Sequence, residues 1–94
     1  MGPEAETPVA DTATEITGKV LTFGEKAVGL TFNPGGHPAV TEIKKAYAAI
    51  IDTLHNLRET AVEMETKRLA SVAITEAQGA QMWAVKALTW ELNK

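Results

Sequence analysis

Cysteine is absent from the chain. Disulfide frameworks, thiolate metal sites and thiol nucleophiles are excluded with it, and the absence fits a reducing compartment. Histidine is nearly as scarce, with only His37 and His55. A relay could be drawn from His55, Asp52 and Thr53, but adjacent residues on a helix do not face one another. His55 and Glu59 share a helix face four residues apart, yet they would give a metal only two ligands. No Gly-x-Ser-x-Gly nucleophile elbow and no Walker motif occurs. The residues therefore point to no catalytic group, no metal site and no cofactor, and the chain reads as a binding protein and not an enzyme. Long hydrophobic runs are missing too: none approaches the roughly 20 residues of a membrane span. The opening Met1-Gly2-Pro3-Glu4 has neither the basic nor the apolar region of a secretory leader. A soluble, cytoplasmic protein is the expectation.

An excess of positive charge is also lacking. The formal net charge is −3, from twelve acids and nine bases. Four of those acids, Glu4, Glu6, Asp11 and Glu15, lie in the first fifteen residues, which hold no Lys or Arg. The remainder is close to neutral. Binding along a long nucleic acid needs a broad basic face that this chain does not have. A small anion held by a few placed cations stays compatible with it.

What is present divides into three parts. Residues 1–15 are rich in Pro, Thr, Ala and acid without periodicity and read as a disordered acidic arm. Residues 16–37 are punctuated by Gly18, Gly24, Gly29, Gly35 and Gly36. The short apolar pieces between them suit brief strands or extended segments, and a helical turn around Gly24 to Val28 serves equally well. From Val40 the pattern is clearer. Val40, Ile43, Tyr47, Ile50, Leu54, Leu57, Ala61 and Met64 alternate steps of three and four, a heptad seam, and Pro38 suits a first helical turn. This predicts a helix over about 38–64, roughly 40 Å long at 1.5 Å per residue. The seam then loses phase between Met64 and Leu69. An alanine stripe follows at Ala70, Ala73, Ala77, Ala80, Ala84 and Ala87, flanked by larger apolar residues, and predicts a second helix over about 67–93.

The expected fold is therefore all-α: an antiparallel two-helix hairpin spanning one domain, residues 16–94, with a short glycine-rich N-terminal segment. The turn belongs near 63–68, with Thr66 or Ser71 as candidate caps. The break rests on a phase shift alone, so one continuous helix in a coiled coil is the alternative. The second helix is apolar around much of its circumference, more than one partner helix covers, so further copies of the chain should complete a homo-oligomeric bundle. Trp83 and Trp90, one heptad apart, are candidate interface anchors.

Asn33-Pro34-Gly35-Gly36-His37-Pro38 is the most informative short stretch. Pro-Gly suits a tight turn, and two glycines before a helix start leave backbone N–H groups free for an anion. The plainer reading is a turn leading into the helix. Lys44-Lys45 and Lys67-Arg68 are the basic pairs, either solvated or phosphate-directed. Phe32 and Tyr47 could stack on a base, although Tyr47 sits on the seam, where packing is its simpler job.

Three runs carry a resemblance: Phe23-Gly24-Glu25-Lys26-Ala27-Val28-Gly29-Leu30-Thr31-Phe32-Asn33-Pro34-Gly35-Gly36, then Arg68-Leu69-Ala70-Ser71-Val72-Ala73-Ile74-Thr75, then Met82-Trp83-Ala84-Val85-Lys86-Ala87-Leu88. Over roughly residues 20–90 they resemble the phage helical-hairpin family of anti-CBASS sponge proteins, whose hairpin is shared with a Thoeris anti-defence sponge. The resemblance implies a homohexamer in the host cytoplasm that sequesters cyclic di- and trinucleotide second messengers without cleavage and so blocks antiphage signalling. On that reading Phe32 stacks on a base and Asn33 hydrogen-bonds a base or phosphate. Lys44 and Arg68 pair with phosphate oxygens, and Ser71 or Thr75 donates further bonds, with Gly36 and Tyr47 completing the expected ligand set. Where that family often has Asn-Pro-Ser-Gly and a small polar residue, this chain has Asn33-Pro34-Gly35-Gly36-His37. The alternative function is a structural hairpin that oligomerises and binds a protein partner.

Overall fold

A computed structural model describes residues 20–92. The acidic arm expected over 1–15 lies outside the described residues. Three helices follow one another: α1, Phe23–Ala27; α2, Pro38–Thr60; and α3, Met64–Thr89, which runs on into a 3-10 turn, Trp90–Leu92. No strand forms among the described residues, so of the readings open for the glycine-punctuated segment the helical turn is the one adopted.

The brevity of α1 is written into both its ends. Thr22 and Glu25 make a reciprocal capping box: the Glu25 N–H donates to Thr22 Oγ1 (3.1 Å) and the Thr22 N–H to Glu25 Oε1 (2.9 Å). At the other end the Leu30 N–H donates to the Glu25 carbonyl and the Gly29 N–H to that of Lys26, a pairing that needs left-handed backbone at Gly29 (φ 63°).

A glycine positions this helix. Gly24 is buried against α2, where a Cβ would overlap the Ala48 carbonyl oxygen. Its N–H donates to Asp52 Oδ1 (2.6 Å). Beside it Phe23 stacks on His55 with ring centroids 4.2 Å apart, and the Arg58 guanidinium lies over the Phe23 ring at 5.4 Å. Arg58 also donates to Ser71 Oγ on α3 (3.0 Å), so one side chain ties all three helices.

The hairpin turn falls at 61–63, just ahead of the expected 63–68, and the continuous-helix alternative is not adopted. α3 starts at Glu63 without a side-chain cap; Thr66 and Ser71, the expected caps, lie inside the helix. Lys67 Nζ donates to the Arg58 carbonyl (2.9 Å), satisfying an end group of α2 and setting the hairpin register. One heptad further along each helix Ile51 meets the level of Ile74, and two heptads along Lys44 reaches that of Gln81.

The core gathers Val28, Ala48, Ile51 and Ile74, with Ile51 fully buried. Tyr47 and Leu54 pack against it. The buried line of α2 is Val40, Lys44, Ala48 and Ile51, displaced from the heptad seam because α1 occupies that flank. Seam members on the other flank face solvent within the chain: Ile50 is 50% exposed and Leu57 46%. The outer face of α3 is barer, with Leu69, Val72, Trp83 and Trp90 all exposed. The alanine stripe winds from buried Ala70 to exposed Ala87, as a seven-residue repeat must on a helix of 3.6 residues per turn. With a smallest extent of 15 Å the fold is one layer thick, and among the described residues α3 packs on one side only, against α2. No helix among the described residues is long and apolar enough to cross a membrane.

Candidate functional site

The glycine loop folds over the open end of the hairpin. Between the loop, the start of α2 and the last turns of α3 lies a cavity of about 400 Å³. Phe32, Asn33, Gly36 and His37 line it from the loop, Val40 and Lys44 from α2, and Val85, Thr89 and Leu92 from the chain's far end. Antiparallel pairing is what brings residues 85–92 back to residues 32–44.

The loop is a built structure. The Gly36 N–H donates to the Asn33 carbonyl (2.9 Å), closing a turn with Pro34 and Gly35 at its centre, and Gly36 takes φ 63°. Asn33 staples this turn to α2: its Nδ2 donates to the His37 carbonyl and to Thr41 Oγ1, both at 3.0 Å. Both amide hydrogens are thereby used, leaving Oδ1 as the polar atom with which Asn33 can meet a ligand. His37 caps α2 through its ring, Nδ1 accepting the Ala39 N–H (3.1 Å), and Pro38 fills the first helical position.

Lys44 is only 6% exposed. Its Nζ donates to the carbonyls of Gly29 (2.9 Å) and Phe32 (2.5 Å), the two ends of the turn that leaves α1, and stands 5.7 Å from the Phe32 ring centre. No carboxylate pairs with it among the described residues, and burial lowers its pKa from the ordinary lysine value. Two of its three N–H donors are spent on the loop; the third is what it can offer an anion.

Four of the expected ligand residues, Phe32, Asn33, Gly36 and Lys44, thus meet at one cavity. Tyr47 packs against the core instead. Arg68, Ser71 and Thr75 lie on the first half of α3. Ten residues separate Thr75 from Val85, about 15 Å of helix, and Arg68 is farther still. Within one chain they do not touch a ligand held under the loop. Arg68 is bound to Glu65 through two hydrogen bonds, Nε to Oε1 (3.0 Å) and Nη2 to Oε2 (2.7 Å), on an exposed surface. That pairing holds the Glu65 carboxyl below its ordinary pKa and raises that of Arg68. Ser71 accepts from Arg58, and Thr75 is exposed.

Sequence reasoning gave His37 no functional role and overlooked Thr41 and the Val85–Thr89–Leu92 wall. The signal for His37 was available: a side chain with an acceptor directly before Pro38, at the start of a helix, stands in the cap position. Thr41, four residues on, faces the same side. Only the folded register reveals the wall. Among the described residues no three metal-ligating side chains converge.

Compared with protein families, residues 25–89 match the Acb2/Tad1 hairpin domain. No curated protein and no solved structure matches the chain.

Proposed function

The chain belongs to the Acb2/Tad1 hairpin-domain family, the family of anti-CBASS and anti-Thoeris sponges, and from that premise we propose that it binds and sequesters cyclic oligonucleotide second messengers. The observation that carries this reading is the convergence of Phe32, Asn33, Gly36 and Lys44 on one cavity. It offers what a nucleotide needs: an exposed aromatic ring for stacking, an amide oxygen that accepts from a base edge, and a cation against phosphate. The ligand is held and not cut, so the signal is withdrawn from the bacterial antiphage effector. A phage protein acting in the host cytoplasm meets that role.

The assembly is proposed to be a homohexamer. Supporting this, the uncovered apolar faces of α2 and α3 run opposite the chain's own core, where a second copy would bury them. Tyr47 and the group Arg68, Ser71 and Thr75 join the ligand set through this assembly, the latter as a second site for cyclic trinucleotides where chains meet. Arg68 then exchanges its Glu65 partner for phosphate.

Calorimetric titration with a cyclic dinucleotide, and separately with a cyclic trinucleotide, tests the proposal, each ligand being recovered on denaturation and checked for integrity. Binding with intact ligand released is expected, with fewer than one site per chain. No heat with either ligand refutes it. The exposed apolar faces favour one second reading, an oligomeric hairpin that docks a protein partner, and that reading survives such a result.

A further inference from the structure

Besides the third N–H of Lys44, the loop's hydrogen bonds leave a ring donor of His37 unassigned. His37 Nδ1 accepts the Ala39 N–H, and a ring nitrogen that accepts cannot carry a proton. The proton of the neutral ring is therefore on Nε2, which diverges from the helix that Nδ1 caps. His37 lines the cavity, and Nε2 has no hydrogen-bond partner among the described residues.

The neighbouring donors are largely committed. Both hydrogens of Asn33 Nδ2 go to the His37 carbonyl and Thr41, and two of the three on Lys44 Nζ go to Gly29 and Phe32. The Gly36 N–H closes the turn, while the backbone N–H groups of Gly35 and His37 have no partner among the described residues. The donors left at the cavity are therefore the His37 ring, the third N–H of Lys44 and these two backbone N–H groups, while Asn33 Oδ1 presents an acceptor. A phosphodiester oxygen accepts hydrogen bonds and donates none, so it belongs with the donors.

We infer that His37 is a ligand-contacting residue of this site, its Nε2–H donating to a phosphate oxygen of the bound nucleotide while Nδ1 holds the start of α2. The inference rests on the sponge reading of the cavity and adds to it a residue with two separable tasks. The imidazole fixes donor and cap together, because filling Nδ1 with the Ala39 N–H is what sets the proton on Nε2. The cost of orienting the donor is met on folding and not on binding.

Two substitutions separate the tasks. His37→Asn keeps an acceptor that caps a helix well but has no atom where Nε2 stands, and His37→Ala removes both. Thermal unfolding reads the cap, and calorimetric titration with cyclic GMP–AMP and cyclic di-AMP reads the contact. The expected result is an unfolding midpoint for His37→Asn equal to that of the unaltered protein, with affinity weaker by about tenfold or more, the effect of losing one hydrogen bond to a charged group. His37→Ala should show the same loss of affinity and a lower midpoint. Equal affinity in the unaltered protein and His37→Asn overturns this inference and leaves the sponge reading intact. No binding by the unaltered protein to either nucleotide overturns both. Nitrogen-15 NMR of the ring gives an independent reading: a proton on Nε2 whose resonance moves on adding ligand is expected, and a proton on Nδ1 overturns the assignment.

Discussion

Replacing Gly24 with alanine presses on the contact that seats α1. The new methyl group would overlap the Ala48 carbonyl oxygen and approach the Ala48 carbonyl carbon and Asp52 Oδ1 to 2.9 Å. Two of those three atoms are backbone of a 23-residue helix and cannot swing aside. Relief has to come from α1 moving off, which stretches the Gly24 N–H bond to the Asp52 carboxylate and slides Phe23 off His55. Overpacking of this kind costs about 1–3 kcal/mol, and a hydrogen bond to a charged group contributes about 1.5–3 kcal/mol. Alanine returns up to about 1 kcal/mol through its better helix propensity. The net loss should be about 2–4 kcal/mol, a large share of the roughly 5–15 kcal/mol that holds a small domain folded. At about 4–8 °C per kcal/mol for a chain of this size, the unfolding midpoint should fall by roughly 8–32 °C. Far-ultraviolet circular dichroism at fixed protein concentration measures it. Gly35→Ala is the matched control, since no atom lies within 4 Å of a Cβ there, and its midpoint should stay where it is. A Gly24→Ala midpoint as high as the control's would show that α1 is not seated by this contact.

Two further outcomes follow from the structure. Burial lowers the Lys44 pKa, while the unfolded chain keeps that proton up to about 10.5. Between the lowered folded value and about 10.5 the unfolded state binds more protons, so stability rises with pH across that window; the neutral amine retains two N–H groups for the Gly29 and Phe32 carbonyls. Urea unfolding at stepped alkaline pH should show this rise, flattened in Lys44→Met, and an identical slope in both proteins would refute it. On the outer face, Trp83→Asp puts a charge on a side chain 70% exposed within the chain. Sedimentation velocity should then report a smaller species with helix content unchanged, whereas an unaltered mass would remove that face from the proposed assembly.

Much of the hairpin could be read from residue types, and the limits have physical causes. The start of α2 was legible because Pro38 and an apolar period mark it together. Its end was not, because Ala61-Val62-Glu63 holds no Gly or Pro. The heptad seam identified α2 as amphipathic and turned Val40, Tyr47 and Leu54 toward the core, but it also assigned Ile50 and Leu57 there, and these are half exposed. The observed line runs through Lys44 and Ala48, since a side helix seated by one glycine claims that flank, and hydrophobic periodicity has no term for a glycine contact. Lys44 illustrates the same gap at the site. A lysine near a glycine loop reads as an anion ligand, yet two carbonyls turned inward by the Gly29 turn take most of its donors. Phe32, Asn33 and Gly36 were legible because turn chemistry is local. Val85, Thr89 and Leu92 were not, because their place depends on how two helices pair.

The connector at 61–63 carries a consequence of its own. It contains no residue that forbids helical backbone, and α3 begins without a side-chain cap. Local conformational preference does not choose between bending here and running straight. The choice falls to the intrachain contacts of Ile51 with Ile74 and of Arg58 with Ser71. An extended chain could make the same contacts with α3 of a neighbour, trading arms between identical copies at little local cost. The closed hairpin is thus kept closed by its core and not by its bend, and substitutions that weaken that core favour exchange of α3 between subunits as well as unfolding.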